Sequence, residues 1–313
     1  MRMMCVSRCR SVPSTEAAEA SSKGKHNVKI GIGLPGHASW SDGRTLVEWA
    51  RRAESRGFST LSVSDRLAWP TPEPMVTLAA MAGATTRIRL LTSVLLAPLR
   101  ANHALFAKAV ATLDQLAGPD RLELGLAPGL RDDDFALSGV DYTTRGRQFD
   151  ALLDRLAAIF ASGDDPVGPR PATAGGPPLL FGGGSRAALR RIVTHGTGWI
   201  AGDATVHDVE DFMPQLDKAW SEAGRGGSPR IVASVMYALG PNATDAVSAA
   251  IEPYYAFAGE EYARYGVSIA YTSPEQIATA VDEFSRIGCD ELIFMGNDPD
   301  PEQVDLLADV VGL

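Results

Sequence analysis

The sequence predicts one (β/α)8 barrel, an α/β fold, and three observations lead to that class. From residue 28 onward, short β-rich runs alternate with longer runs of helical period, and we count eight strands. Runs such as IRLLTSVLL and ELIFM are apolar almost throughout, as in a parallel sheet that helices cover on the outside. The chain has 313 residues, more than the ~250 that such a barrel needs. We therefore expect residues 27–313 to form a single barrel domain with insertions.

The predicted strands and helices alternate in order along the chain. The strands lie near residues 28–34, 59–64, 88–95, 121–126, 178–182, 198–201, 231–239 and 290–295. The helices lie near residues 43–56, 73–85, 102–117, 144–161, 185–195, 206–223, 274–287 and 301–311. The helix after Arg145 shows the pattern clearly, because apolar residues recur at spacings of three and four and give one buried stripe. That stripe consists of Phe149, Leu152, Leu153, Leu156 and Phe160.

Two stretches are longer than a minimal barrel requires. Residues 127–143 follow the fourth strand and residues 240–272 follow the seventh. Because both follow strand carboxyl ends, where barrels build their active sites, we expect them to be lids. The Pro/Gly-rich residues 162–178 are consistent with a mobile loop or a domain linker, and we favour the loop because the alternation resumes afterwards.

Composition excludes several classes of protein. The chain carries 29 basic and 38 acidic residues, a net charge of -9, so it has no overall basic field for nucleic acid. No apolar run approaches the ~20 residues that cross a membrane. Cys5, Cys9 and Cys289 support neither a disulfide framework nor a zinc site, and a cytoplasmic location fits best. Residues 1–26 are rich in serine, alanine and scattered charge, and we expect a disordered tail.

The segment FGGGS at residues 181–185 is the candidate site whose chemistry is clearest from the sequence. A strand ends in glycines and a serine then begins a helix, which offers free amides and the positive end of the helix dipole to a phosphate. Arg186 would add a charged donor. A tight turn that needs positive φ angles explains the same residues equally well.

Other polar residues at strand ends are more ambiguous. Asp65 and Arg66 follow the second strand and would serve either catalysis or an ion pair with each other. Asp132, Asp133 and Asp134 favour a helix start over a metal site, and we expect no metal. The histidines His37, His103, His195 and His207 lack paired ligand spacing, and a structural role is expected for each. Trp199 is expected to pack in the core.

Taken together, these segments resemble one known family. TSVLLAPLRANHALFAKAVATLDQL, RLELGLAPGLRDDDFALSGVDYTTRG, FGGGS and HGTGWI are similar to blocks of the flavin-dependent luciferase-like monooxygenases. The resemblance covers nearly all residues from 28 to the carboxyl terminus, and the combination of blocks is specific although each alone is weak.

The resemblance implies a barrel that binds reduced FMN, or in one branch the deazaflavin coenzyme F420, at the carboxyl ends of its strands. Ser93 and Val94 match the place where relatives often have a non-prolyl cis peptide against the flavin ring, and Asp65 matches a carboxylate near the ring. Asp65 and Arg66 are the expected catalytic residues. The expected coenzyme contacts are Leu34, Ser93, Val94, Ala127, Arg131, Gly182, Gly183, Gly184, Ser185 and Arg186.

Two positions depart from the family pattern. Arg66 stands where many relatives have a catalytic histidine, and an arginine cannot act as a general base near neutral pH, although it can stabilise an anion. Pro128 stands where bacterial luciferases use an arginine to hold the FMN phosphate, so Arg131 or Arg186 would have to compensate.

The expected activity is that of a monooxygenase that uses reduced FMN and O2 to oxygenate a small organic substrate. A separate flavin reductase would supply the coenzyme, and relatives commonly form homodimers. Two alternatives stay open: a deazaflavin-dependent hydride-transfer enzyme, which Ser64 and Asp65 also fit, and a non-catalytic flavin-binding or scaffold subunit. The aromatic group Tyr254, Tyr255, Phe257, Tyr262 and Tyr265 would line a pocket or, as its helical spacing favours, pack helices.

Overall fold

A computed structural model describes residues 27–38, 42–162 and 164–313 of the chain. The tail predicted at residues 1–26, with Cys5 and Cys9, lies outside the described residues.

The eight strands close into a parallel barrel in chain order, and strand β8 pairs with strand β1 to complete it. This confirms the predicted (β/α)8 fold. The strands are β1 Lys29–Gly33, β2 Thr60–Val63, β3 Arg89–Leu96, β4 Leu122–Ala127, β5 Leu179–Gly182, β6 Gly198–Ala201, β7 Arg230–Tyr237 and β8 Glu291–Gly296.

Eight helices agree with their predicted bounds to within about one residue, and three more lie in the two inserts. The eight are α1 Gly43–Arg56, α2 Pro74–Ala84, α3 His103–Ala117, α5 Arg145–Ala161, α6 Arg186–His195, α7 Val206–Glu222, α10 Pro274–Ile287 and α11 Glu302–Val311. The first insert contains α4 Asp132–Ser138, and the second contains α8 Ala243–Tyr255 and α9 Glu260–Ser268. Local capping explains the agreement, because Asn102, Ser185 and Ser273 each accept an amide hydrogen bond at the start of the helix that follows.

The barrel core of the described residues has two layers, and a third apolar cluster packs α8 of the second insert against the end of β7. The larger lies between the sheet and the outer helices and contains the predicted stripe of α5, with Phe160 only partly buried. The smaller fills the barrel interior with Leu91, Leu180, Ile200, Val232, Ile293 and Met295. A packed interior of branched side chains leaves no channel through the barrel, so ligands must bind at its mouth.

Charged residues close the amino-terminal end of the barrel. Arg230 contacts Glu123 at 2.5 Å and also pairs with Glu291, which is fully buried. Arg89 contacts the same Glu291 carboxylate at 2.6 Å. Burial raises the pKa of Glu123, and Arg230 opposes that shift. This end of the barrel is therefore a buried ion network, which leaves the opposite end for function.

Candidate active site

The most distinctive feature at the carboxyl-terminal mouth of the barrel is a bulge in β3. The peptide bond between Ser93 and Val94 is cis, as the family resemblance implied, and the pairing of β3 with β4 shifts register between Thr92 and Leu95. Glycines on β4 and β5 make room for the bulge. A Cβ atom on Gly125 would lie 2.2 Å from the Thr92 carbonyl oxygen and 3.3 Å from Val94 Cγ1.

Four of the predicted coenzyme contacts meet at this bulge. A Cβ atom on Gly182 would lie 3.5 Å from Val94 Cγ1 and 3.4 Å from the Ala127 Cβ. Ser93, Val94, Ala127 and Gly182 therefore form one small surface across β3, β4 and β5. Leu34 ends up elsewhere, 4% exposed and packed in the core between the sheet and the helices.

Asp65 ties the end of β2 to the segment that follows the bulge. Its Oδ2 atom accepts hydrogen bonds from the Leu96 amide at 3.0 Å and from Arg100 Nη2 at 2.7 Å. Burial raises the pKa of Asp65, and the Arg100 cation opposes that effect. The Asp65 carboxylate therefore holds the end of β3, just after the bulge, in place.

Arg66 points away from Asp65 and pairs with the first insert, so the ion pair considered between the two residues does not form. Arg66 Nε donates to Asp134 Oδ2 at 2.8 Å. Asp134 Oδ1 also accepts the amides of Leu67 and Ala68, at 2.9 and 2.7 Å. The three aspartates do occupy the first turn of α4, as predicted, but the last of them also holds the loop after β2.

The terminal nitrogens of Arg66 are only weakly engaged, by the Asp133 carboxylate and the Tyr254 hydroxyl. The residue is 9% exposed, and neither Nη1 nor Nη2 makes a hydrogen bond of good geometry with a described residue. Nη2 lies 3.5 Å from the Asp133 carboxylate, and the guanidinium carbon lies 5.1 Å from the centre of the Tyr254 ring. Buried donors of this kind are normally satisfied, so an acceptor group of a ligand fits here.

His37 lies beside this cluster, although its lone position in the sequence favoured a structural role. Its Nδ1 atom is 3.0 Å from Asn297 Oδ1, while Asn297 Nδ2 donates to the carbonyls of Tyr237 and Met295, both at 3.3 Å. With the amide assigned in this way, Nδ1 carries the proton and the neutral ring has its lone pair on Nε2. The signal in the sequence was its position just after β1.

The second insert places two aromatic rings over the mouth. Tyr254 makes an edge contact with the His37 ring at 4.3 Å and with Trp69 at 5.2 Å, measured between ring centres. The Tyr255 hydroxyl donates to Asp203. Phe257, Tyr262 and Tyr265 are about half exposed, at 52%, 50% and 50%. The aromatic group therefore divides, with two members at the site and three at the surface.

Arg131 joins the two inserts. Its Nη1 donates to the Tyr254 carbonyl at 2.8 Å, its other nitrogens pair with Asp133, and the guanidinium carbon lies 3.9 Å from the centre of the Phe257 ring. The Arg131 guanidinium therefore links the first insert to the second.

The FGGGS turn is open to solvent. Gly183 has a φ of 94°, Ser185 accepts the Ala188 amide as the cap of α6, and Trp199 Nε1 donates to the Gly183 carbonyl at 3.1 Å. Trp199 is buried against Phe212, as expected. Gly183, Gly184, Ser185 and Arg186 are exposed. The turn satisfies both the phosphate-site and the tight-turn interpretations.

A groove of about 470 Å³ opens next to His37, between the loops after β1, β2 and β8 and one face of α8. Its lining residues are His37, Ala38, Trp69, Pro70, Ala246, Ala249, Ala250, Pro253, Asn297, Asp298 and Pro299. In the described ranges we find no group of three His, Cys, Asp or Glu side chains that would hold a metal ion. No helix in that part of the chain is long and apolar enough to cross a membrane.

Comparisons with known proteins agree with this architecture. The chain is 28% identical over 225 residues to an uncharacterized protein of Mycobacterium tuberculosis, covering 61% of this chain and 79% of that protein. It is 32% identical over 225 residues to an F420-dependent glucose-6-phosphate dehydrogenase of Kribbella flavida, covering 63% and 65%.

Among solved structures, the monooxygenase RslO1 from Streptomyces bottropensis has a TM-score of 0.75 at 19% identity, covering 91% of this chain and 98% of that one. An F420-dependent secondary alcohol dehydrogenase in complex with an F420-acetone adduct has a TM-score of 0.73 at 17% identity, with the same coverage. Both of these likenesses concern the fold. Residues 24–291 match the family model of the luciferase-like monooxygenases, and the protein therefore belongs to the luciferase-like monooxygenase family.

Proposed function

We propose that this protein is a monooxygenase that uses reduced FMN and O2 to oxygenate a small organic substrate at the carboxyl mouth of the barrel. The observation that carries the proposal is the bulge of β3 at Ser93 and Val94, with Gly125 and Gly182 beside it. Together with Ala127 they leave a surface without large side chains, which fits a planar ring system lying against Val94.

The residues present fit a phosphorylated flavin. The ring would lie against Val94, Ala127 and Gly182, and the exposed amides of Gly183 to Ser185 would bind the phosphate. Arg186, exposed at the start of α6, would supply the charge that Pro128 does not. When bound and reduced, the flavin supplies the electrons that activate O2.

Arg66 is the residue that favours oxygen chemistry. Its two buried terminal nitrogens face only the Asp133 carboxylate at 3.5 Å and the Tyr254 hydroxyl, so they would still donate to an anionic oxygen, while Asp134 holds the guanidinium through Nε. Tyr254 covers the cation, and Arg131 fastens Tyr254 to the first insert. The inserts would in this way exclude water from the reacting groups.

Hydride transfer with the deazaflavin F420 is the second candidate. The relative from Kribbella flavida and the solved alcohol dehydrogenase both carry F420 in their names. The surface at Val94 fits either ring, so it does not separate the two coenzymes. A non-catalytic subunit is the third candidate, since Arg66 occupies the place of the family histidine.

One experiment separates the three candidates. The full chain is titrated without oxygen with reduced FMN and, separately, with reduced F420, and O2 is then admitted while the absorbance of the coenzyme is recorded. We expect saturable binding of FMN and oxidation kinetics that differ from those of free FMN. Tight binding of F420 with no effect on FMN oxidation would favour hydride transfer, and binding of neither would leave the scaffold role.

The pair Gly182→Val and Gly83→Val tests the proposed ring position. Valine at position 182 would fill the surface beside Val94, and we expect it to remove coenzyme binding. Position 83 is exposed on α2 with open space around it, so the same change there should leave binding intact. Equal binding by both variants would refute the position.

We further propose a cytoplasmic homodimer that receives its reduced flavin from a separate reductase. Light scattering on the purified chain tests the dimer, and a mass equal to that of one chain would contradict it.

A further inference from the structure

The groove beside His37 has a chemical character that the proposed coenzyme site does not use. One wall is formed by Ala38, Trp69 and Pro70, and the other by alanines of α8 and Pro253. Asp298 is the single charged residue in its described lining, and no cation is among those residues. Such a groove favours an uncharged, largely apolar molecule and disfavours an anion such as a sugar phosphate.

His37 is the polar group best placed to recognise a ligand in this groove. It is 7% exposed, it lines the groove, and its ring also contacts Tyr254 of the cluster that includes Arg66. Asn297 fixes the ring through Nδ1, and no described residue makes a hydrogen bond to Nε2. The bare nitrogen is therefore an acceptor at the boundary between groove and mouth.

The groups around His37 favour its neutral form. Burial lowers the pKa of His37, and the nearby Arg66 cation lowers it further. Asp203 and the hydrogen bond to Asn297 act in the opposite direction, but burial is the largest effect. Among the described residues, the other polar groups packed near His37 are Tyr254, Tyr255, Asp298 and the Trp69 indole, which donates to the His37 carbonyl at 3.2 Å.

We propose that this groove binds an uncharged, largely apolar substrate that carries a hydroxyl group, and that this hydroxyl donates a hydrogen bond to His37 Nε2. No bond breaks in this step: the proton stays on the substrate oxygen, and the neutral ring positions the substrate. Arg66 cannot serve as the acceptor, because a guanidinium carries donors only. The inference rests on the proposed function, since it gives that reaction its substrate class and a residue that positions the substrate.

The test uses 4-nitrophenol, an uncharged hydroxyl compound whose absorption band moves to longer wavelength when its hydroxyl donates a hydrogen bond. The full chain without coenzyme is titrated with this probe at a fixed pH below the probe's own ionisation. We expect a saturable shift of this absorption band and a saturable change in tryptophan fluorescence. Glucose 6-phosphate should not compete with the probe.

Two variants separate the groove from the hydrogen-bond acceptor. Ala246→Leu should weaken binding roughly tenfold or more by filling the groove. His37→Phe should retain binding, weakened about fivefold by loss of one hydrogen bond, and should abolish the shift of the probe's absorption band. Ala157→Leu on an exposed position of α5 and His207→Phe, whose side chain is 85% exposed, are the matched controls and should behave as the parent chain.

A shift of the absorption band that persists unchanged in His37→Phe would overturn the role of His37. Unchanged affinity in Ala246→Leu, competition by glucose 6-phosphate, or no saturable binding of the probe would overturn the groove. Because coenzyme is absent throughout, these failures are distinguishable from failure of the reduced FMN titration.

Discussion

Replacing Asp134 by alanine should destabilise the protein far more than its place in a surface insert indicates. Asp134 is 1% exposed, and its carboxylate accepts three hydrogen bonds, from Arg66 Nε and from the amides of Leu67 and Ala68. The variant leaves a buried guanidinium without its hydrogen-bonded anion, and the Asp133 carboxylate at 3.5 Å is a weaker partner.

The magnitude follows from those contacts. Breaking a buried ion pair by removing one partner costs about 3 to 5 kcal/mol, and each of the two partly buried amides left unpaired adds at most about 1 kcal/mol. Relaxation of the insert toward solvent would recover part of this, so we expect the free energy of unfolding to fall by about 4 kcal/mol.

The assay is urea unfolding followed by tryptophan fluorescence, with Asp132→Ala as the control. Asp132 is exposed in the same helical turn, so its loss removes only a favourable interaction with the helix dipole, about 0.5 kcal/mol. Equal losses in the two variants would refute the role that we assign to Asp134.

Four further variants test other parts of the structure. Arg230→Met leaves the buried carboxylate of Glu291 with one cation fewer and should lower the unfolding free energy by about 3 kcal/mol in the same urea assay. Burial alone would raise the pKa of Glu54, but hydrogen bonds from three backbone amides lower it from 4.5 to about 2. Because the pKa is lower in the folded state, this stabilisation is complete above pH 4.5 and is lost as the pH falls toward 2. Glu54→Gln should therefore lower the free energy of unfolding by about 2 kcal/mol at pH 7. It should also reduce the loss of stability that the parent chain shows between pH 4.5 and 2. Gly125→Ala should cost about 3 kcal/mol, because its Cβ would meet a carbonyl oxygen at 2.2 Å, whereas Gly182→Ala, with nearest atoms at 3.4 Å, should cost less than about 1 kcal/mol.

The fold was predictable because its signals are local. Hydrophobic period, capping residues and glycines at helix ends act over a few residues, and they located eight strands and eight helices. The helices of the second insert were not predicted as elements, because residues 240–272 were identified by excess length after the seventh strand. Asn242 caps α8 without a side-chain hydrogen bond, so the usual start signal is absent there.

The partners of the polar residues were much harder to predict. Asp65 and Arg66 are adjacent in sequence, yet they bind Arg100 and Asp134, which lie 35 and 68 positions away. His37 and Asn297 are separated by 260 positions and meet only because β1 and β8 close the barrel. Nothing in the spacing of a lone histidine reveals such a partner, so the structural role was the reasonable expectation for His37.

The contacts of Tyr254 link substrate entry to water exclusion. Tyr254 contacts His37 with its ring, covers the Arg66 guanidinium, and receives a hydrogen bond from Arg131 at its carbonyl. If the second insert lifts away together with the first to admit a substrate, Tyr254 must release His37 and Arg66 but keeps the hydrogen bond from Arg131, so the Arg66 guanidinium becomes hydrated in the same step. When the insert returns, the groove beside His37 and the cation at Arg66 are enclosed together. We infer that the two inserts move as one lid, since Arg131 of the first is fastened to the backbone of the second, and that the proposed reaction is confined to the closed arrangement.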